Sequence, residues 1–373
     1  MKNSFKIILK IALAAFFLYL FLLSIGLMGV AFKGFGKDFA KNLIQTTSNP
    51  FVGLLIGILA TSIVQSSSTT TSVVVGIVGS GGLTVTAAIP IIMGANIGTT
   101  VTNTLVSLGH IGRRAEFRRA IGAATVHDFF NLICVAIMFP LELATGFLEK
   151  SATLLSSAFQ NVGGIKFTSP IKAIIKPAEK AIHSISLDIF DSETAAYIFI
   201  LVLSAVLLFF ALYFIVKVMK SLVVERAEIM LNNVINKNGH LALLAGLIFT
   251  IMVQSSSITT SLLVPMVAAG ILTVESVFPI TLGANIGTTT TAILASFATG
   301  NINAIIIAFV HFLFNVVGVA LIYPIPIFRR IPIRLAHALG IVASRKRWYA
   351  FVYVLAVFFI LPALLIFMSK LFG

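Results

Sequence analysis

The sequence predicts an all-α, polytopic membrane protein built from two inverted repeats. Three observations carry this. Apolar residues and glycine make up about 65% of the 373 residues, against roughly 45–50% in soluble domains. Charge is scarce, with 26 basic and 12 acidic residues. Two stretches, 42–112 and 238–328, hold no charged side chain but Glu275, and they are versions of one another. A soluble enzyme needs far more surface charge. A disordered chain and a disulfide scaffold are equally excluded, since the one cysteine, Cys134, has no partner within the chain. The net charge of +14 comes from short basic clusters between apolar runs. Such clusters mark topology by the positive-inside rule and not a nucleic-acid surface.

The elements follow in order. Residues 7–32 are apolar and preceded by Lys2, Lys6 and Lys10. The run is too long for a signal-peptide core and lacks a small-residue cleavage site, so it reads as a retained first span. Residues 51–80 form two apolar arms around QSSS, each about 13 residues where a span needs about 20. That favours a re-entrant helical hairpin over two spans, with a single broken span as the rival. Residues 84–108 read as a span broken at GANIGTT, and 120–140 as another. The second copy gives a span at 195–216, a hairpin at 241–270, a broken span at 273–298 and a span at 302–323. Residues 221–237 and 329–345 read as interfacial helices, and 349–369 as a last span. The domains are then a first repeat, 1–146, a polar excursion, 147–194, a second repeat, 195–328, and a terminal unit, 329–373.

The duplication is explicit. Gly53 to Thr100 aligns without a gap on Ala242 to Thr289, with Gln65/Gln254, Pro90/Pro279 and all of GANIGTT identical. VHDFFNLICVAIMFP (Val126 to Pro140) then faces VHFLFNVVGVALIYP (Val310 to Pro324). Each unit has three crossings plus a hairpin, and an odd count turns the second copy upside down. With the N-terminus inside, every arginine falls on an inside segment: Arg113, Arg114, Arg118 and Arg119, then Arg226, then Arg329, Arg330, Arg334, Arg345 and Arg347.

The chemistry lies in the charge-free stretches. Gln65, Ser66, Ser67, Ser68 and Thr69, and again Gln254, Ser255, Ser256 and Ser257, open runs rich in hydroxyls. One serine in a membrane helix bonds a carbonyl of the preceding turn. A long run points around the whole helix, and each hydroxyl buried without a partner would cost ~1–3 kcal/mol. The runs therefore meet water, ions or substrate. In GANIGTT, Asn96, Thr99 and Thr100, with Asn285, Thr288 and Thr289, sit beside glycines expected to loosen the helix. Freed carbonyls and side-chain oxygens suit a hard cation such as Na⁺, and freed N–H groups at a half-helix N-terminus suit an anion. The competing reading is a glycine-mediated packing face. Neither core offers Lys or Arg to an oxyanion, so a cation bound alongside would repair its compensation, and each ion would raise the other's affinity. The remaining intramembrane polar groups are His127, Asp128 and Asn131, with His311 and Asn315 in the second copy, where Phe312 replaces Asp128. They brace helices or take part in coupling.

Paired QSSS motifs, each followed by GANIGTT, together with FRRAIGAATVHDFFN (Phe117 to Asn131) and PLELATG (Pro140 to Gly146), resemble the sodium-dependent inorganic phosphate cotransporter family, the type II group of animals and its bacterial relatives. The resemblance implies Na⁺-coupled phosphate uptake across the plasma membrane, with sodium as co-substrate, no cofactor and no enzyme activity. It places phosphate and sodium among the Gln, Ser, Thr and Asn residues just named, without assigning ions to residues. It also implies opposed hairpins and a transport domain moving against a scaffold, an arrangement often built as a homodimer. The chain departs from the animal pattern in lacking the outer cysteine pair and in carrying Arg113 where electrogenic members have an acid. It closes at Gly373 without an appended PhoU-like domain, so phosphate sensing through one is not expected. The alternatives are a sodium-coupled transporter of another small anion such as a dicarboxylate, a passive anion channel, and an intramembrane serine hydrolase using His127 or His311. Two near-identical serine runs argue against a single nucleophile.

Overall fold

The computed structural model describes residues 2–161, 170–235 and 238–372, which form helices with no strand among them. Seven segments of these are long and apolar enough to cross a bilayer. They are α1 (Lys2–Gly34), the pair α5 (Val85–Gly98) and α6 (Val101–Leu108), α7 (Arg114–Thr145), α10 (Glu193–Ile235), α13 (Val274–Thr299), α14 (Ile302–Ile322) and a last run from Trp348 to Ser369. The remaining helices, numbered in chain order, are α2 (Gly36–Thr46), α3 (Pro50–Val64), α4 (Ser67–Ser80), α8 (Phe147–Asn161), α9 (Pro170–Ile189), α11 (Gly239–Val253), α12 (Ser256–Ala268) and α15 (Pro326–Arg345). The last run comprises α16 (Trp348–Leu355), a π turn at Ala356–Ile360 and α17 (Leu361–Phe372). Pro362 has no N–H for the ladder, and the turn before it widens so that the Leu361 N–H reaches Ala356 O.

Local sequence sets the ends. Asn49 caps α3 ahead of Pro50 at its first position, Thr84 caps α5, Thr273 and Ser276 form a capping box on α13, and Asn301 caps α14. Helices α3, α4, α11 and α12 are only about 20 Å long, too short for a ~30 Å hydrocarbon core. They pair as two helical hairpins, α3–α4 and α11–α12.

The glycines of the second motif serve close packing. A Cβ at Gly94 would strike Leu54 O and one at Gly57 would strike Ile91 O; Gly283 and Gly246 stand in the same relation to Leu243 O and Ile280 O. Each hairpin's first arm thus lies backbone to backbone on the GANIGTT helix that follows it. The close packing is what the competing reading expects, and in the first copy the helix is also interrupted after Gly98, as expected of a loosened motif.

The span expected to be broken at 273–298 is corrected. Helix α13 runs unbroken from Val274 to Thr299, whereas its counterpart is interrupted between Gly98 and Val101. The cause is one side chain. Asn131 Nδ2 donates to Asn96 O at 2.7 Å, and the Thr100 N–H turns instead to Ile97 O. In the second copy Asn315 Nδ2 bonds His311 O on its own helix, and the ladder of α13 stays intact.

The second arm of each hairpin packs against the other copy: α4 on α13 and α14, and α12 on α6 and α7. Side chains fasten both contacts. Asn301 Nδ2 donates to Gly79 O at 2.9 Å, and Arg119 Nε donates to Val267 O and Ala268 O at 3.2 and 2.9 Å. The start of α14 therefore meets the end of α4, and the start of α7 meets the end of α12.

Elsewhere, residues 221–235, expected as a separate interfacial helix, continue α10 without a break, and the side chains of 223–237 lie outside the described set. Helix α15, over the other expected interfacial segment, packs along α7. Within the 147–194 excursion, residues 162–169 also lie outside the described set. Helices α8 and α9 flank them, and Glu142 caps α8 by accepting from the Leu148 N–H at 2.6 Å. In α9, Glu179 is tucked against Gly26 of α1, and this burial raises its carboxyl above the usual range.

Candidate substrate and ion site

The two QSSS motifs form the turns of the two hairpins, with one backbone design. Gln65 and Gln254 take φ of 56° and 58°, the only positive values among described non-glycine residues. The next residue is extended and caps the second arm. Ser66 Oγ accepts from the Thr69 N–H at 3.2 Å, and Ser255 Oγ accepts from the Ile258 N–H at 3.4 Å. A left-handed residue followed by an N-cap reverses the chain in the fewest residues. The side chain of a non-glycine residue held there costs about 1–3 kcal/mol, and finding the same cost at the same place twice points to function.

Both turns face one cavity of about 80 Å³, lined by Gln65 to Ser68 and Gln254 to Ser257 and closed by Leu212 and Val216. No charged side chain and no imidazole lines it. The N-termini of α4 and α12 open onto it, each carrying about half a positive charge and unpaired N–H groups. Its volume holds several waters or one small hydrated ion, well short of a drug-sized ligand.

Around this cavity the polar groups lie in layers. Thr99 Oγ donates to Ser67 Oγ at 2.9 Å, tying the break in α5–α6 to the first turn. The Gln254 amide is held by Thr291, which donates to its Oε1 at 2.9 Å, and by its own bonds to Ile251 O and Thr290. The Gln65 amide makes no side-chain bond and is exposed. Thr69 bonds Ser66 Oγ at 2.8 Å. Thr288 and Thr289 turn back to Ala284 O and Ile286 O within their own helix.

The asparagines and histidines form a separate buried cluster. Asn285 Nδ2 donates to Asn131 Oδ1 at 2.9 Å and to Asn315 Oδ1 at 2.8 Å, while Asn96 Nδ2 donates to Ile92 O. His127 and His311 are buried with neither ring nitrogen hydrogen-bonded. Asp128 is fully buried and accepts from Tyr353 Oη at 3.0 Å. None of these residues lines the cavity. Two residues escaped sequence reasoning. Asn103 Oδ1 accepts from Thr260 and Ser261 of the second hairpin at 2.9 and 3.2 Å. Its only sequence signal is an asparagine in the broken span where the second copy has Ala292. Tyr353 lies outside both copies, where no repeat comparison reaches.

Comparison with known proteins fits this architecture. The sequence profile described as Na⁺/Pi-cotransporter matches residues 20–168 and 207–322. Sodium-dependent phosphate transport protein 2B of Pongo abelii and of Homo sapiens are each 37% identical over 93% of this chain and 63% of their own length. Protein 2A of Rattus norvegicus is 37% identical over 96% of this chain and 67% of its own. The chain thus spans a little under two thirds of the length of the 2B relatives. No solved structure matches it. The profile covers both sequence copies with their QSSS and GANIGTT motifs, and on that extent the chain belongs to the Na⁺/Pi-cotransporter family.

Proposed function

We propose that this chain is a secondary active transporter that carries inorganic phosphate inward with Na⁺ across the plasma membrane. The observation that carries the reading is the single uncharged cavity onto which two half-helix N-termini open, one from each copy. Two helix dipoles and a ring of hydroxyls and amides attract an oxyanion without the fixed charge that would trap it. Gln65 to Ser68 and Gln254 to Ser257 hold phosphate. Thr99 and Asn103 tie the hairpins to the α5–α6 break, and oxygen-rich positions around Asn96, Asn131, Asn285 and Asn315 suit sodium. The crossed contacts Arg119–Ala268 and Asn301–Gly79 support the inverted arrangement, and the arginine distribution favours an N-terminus inside. The names of the relatives, sodium-dependent phosphate transport proteins, favour phosphate over a dicarboxylate.

The purified protein in liposomes tests this. Labelled phosphate should accumulate above equilibrium under an inward Na⁺ gradient and not under K⁺ or choline gradients. Ser67→Ala and Ser256→Ala should each reduce uptake at least tenfold. Uptake that ignores Na⁺ would make the protein a channel, and uptake inhibited by succinate would make it a dicarboxylate carrier.

A further inference from the structure

We propose that the apolar pocket between α1, α10 and α11 holds one acyl chain of an anionic phospholipid, with the lipid's phosphate seated on Lys6, Lys10 and Lys220. The pocket encloses about 350 Å³, against about 80 Å³ for the cavity at the hairpin turns. That places it in the size range of small-molecule sites. Ala14, Ala15 and Leu18 of α1, Ile215 and Met219 of α10 and Ile251 of α11 form its walls. Its two polar lining residues are already satisfied. Thr291 donates to Gln254 Oε1 at 2.9 Å, and Gln254 Nε2 donates to Ile251 O and Thr290. Neither is left over to recognise a polar ligand. Ile11, Ala15 and Ile251 are exposed, so the pocket opens sideways between spans, and the medium at that opening is acyl chain. An unfilled apolar void forfeits the dispersion contacts of its lining, and a hydrocarbon chain restores them. From Ile11 to Phe21 the pocket follows α1 for about 15 Å, an elongated shape that a chain fits.

The charge at one end selects the headgroup. Lys10 stands one turn before Ala14, and Lys6 one turn before that, on the same face of α1. Lys220 follows Met219 at the adjoining end of α10. Lys10 Nζ donates to Ser221 O at 3.1 Å, which holds the two helix ends together. Among the described residues no carboxylate pairs with any of these three lysines. Three cations without a counter-charge at the wet end of an apolar slot match a phosphate ester carrying a hydrocarbon tail. Lys217 is the useful contrast. It lies on the other side of α10, 5.9 and 5.7 Å from the ring centres of Tyr213 and Phe214. Leu212 and Gln254 line both this pocket and the hairpin cavity. A bound chain therefore backs the wall of that cavity.

That the lipid affects phosphate uptake rests on the transport reading; its binding does not. The test is photolabelling of the purified full chain in phosphatidylcholine vesicles. The probe is phosphatidylglycerol with a diazirine in one acyl chain, beside the matching phosphatidylcholine probe, and labelled peptides are mapped by mass spectrometry. Phosphatidylglycerol should label 11–21, 212–219 and 251–252 more strongly than the last helix, and phosphatidylcholine should label them about tenfold less. Lys10→Gln and Lys220→Gln should each lower that labelling about fivefold, and Lys217→Gln should leave it unchanged. Ala15→Phe, which fills the opening, should abolish it. Equal labelling by the two probes overturns the site. So does a loss in Lys217→Gln equal to that in Lys10→Gln, which makes the attraction diffuse, and so does labelling no stronger than at the last helix. If Ala15→Phe does not purify as a monodisperse species, the lysine series decides. A wild type labelled as expected that moves no phosphate would sink the transport reading and leave this site standing.

Discussion

The two copies agree where they meet and differ where they are held. At the cavity, Gln65 and Gln254 share a left-handed backbone, and Ser66 and Ser255 share a cap. A few ångströms away the likeness ends. The first copy breaks its GANIGTT helix and the second keeps it whole. The first buries a carboxylate where the second has Phe312. One hairpin is fastened by a guanidinium and the other by a carboxamide. The turns that line the shared cavity are alike, whereas the supports of each half diverge. The duplicated unit thereby carries two unequally supported hairpins around one cavity.

The largest effect should come from the feature the copies share. Valine at Gly94 or Gly283 drives a side chain into a backbone carbonyl of the adjoining arm. Each change should cost more than about 3 kcal/mol and abolish monodisperse elution in size-exclusion chromatography. Tolerance at one site only would mean that one arm is not closely packed. Next in size is the asparagine cluster. Asn131→Leu strands both Asn96 O and an Asn285 N–H, at about 1–3 kcal/mol per group. Asn315→Leu strands only the second N–H of Asn285. The first should lower the thermal midpoint more, and equal losses would remove Asn131 as the cause of the helix break.

Smaller effects separate the clasps and the turns. Arg119→Ala removes charge-assisted bonds at a helix C-terminus, worth about 1.5–3 kcal/mol, against about 1 kcal/mol for Asn301→Ala. Hydrogen exchange should therefore quicken at the end of α12 more than at the end of α4. Both Gln65→Gly and Gln254→Gly relieve the left-handed backbone cost, but only Gln254→Gly loses the bond from Thr291, so Gln65→Gly should be stabilising and Gln254→Gly should fall about 1 kcal/mol below it; both should impair phosphate uptake. At the small end, the exposed Glu275–His337 pair, 2.9 Å apart, should contribute less than about 1 kcal/mol. Glu275→Gln should be silent in thermal melts.

Much of this was legible in the sequence. Arm length beside span length points to the hairpins, and repetition of QSSS in one register points to the two turns that line one cavity. The glycines carry two readings because a loosened helix and a close helix contact demand the same residue, and the position of Leu54 or Leu243 reveals the contact. The break at Thr99 and Thr100 was expected in both copies because GANIGTT is identical in both. It is decided by Asn131, 35 residues from the carbonyl it captures. Arg119 was read as a topology marker, and nothing local says that it reaches Ala268. Tyr353 gave no signal because its partner is fixed only by tertiary packing. Local chemistry reads out of sequence; partners distant along the chain do not.

The crossed clasps also bear on how the protein is made. The root of the first hairpin ends at Gly79, but the side chain that fastens it, Asn301, comes 222 residues later. At roughly 5–20 residues per second of synthesis, that hairpin waits on the order of ten to forty seconds for its clasp. Throughout that interval a hydroxyl-rich helix pair, too short to span, has no finished protein around it. The second hairpin has no such wait, because Arg119 precedes it on the ribosome. The order in which the clasps become available is therefore as asymmetric as the fold: the first hairpin precedes its Asn301, and the second arrives after its Arg119.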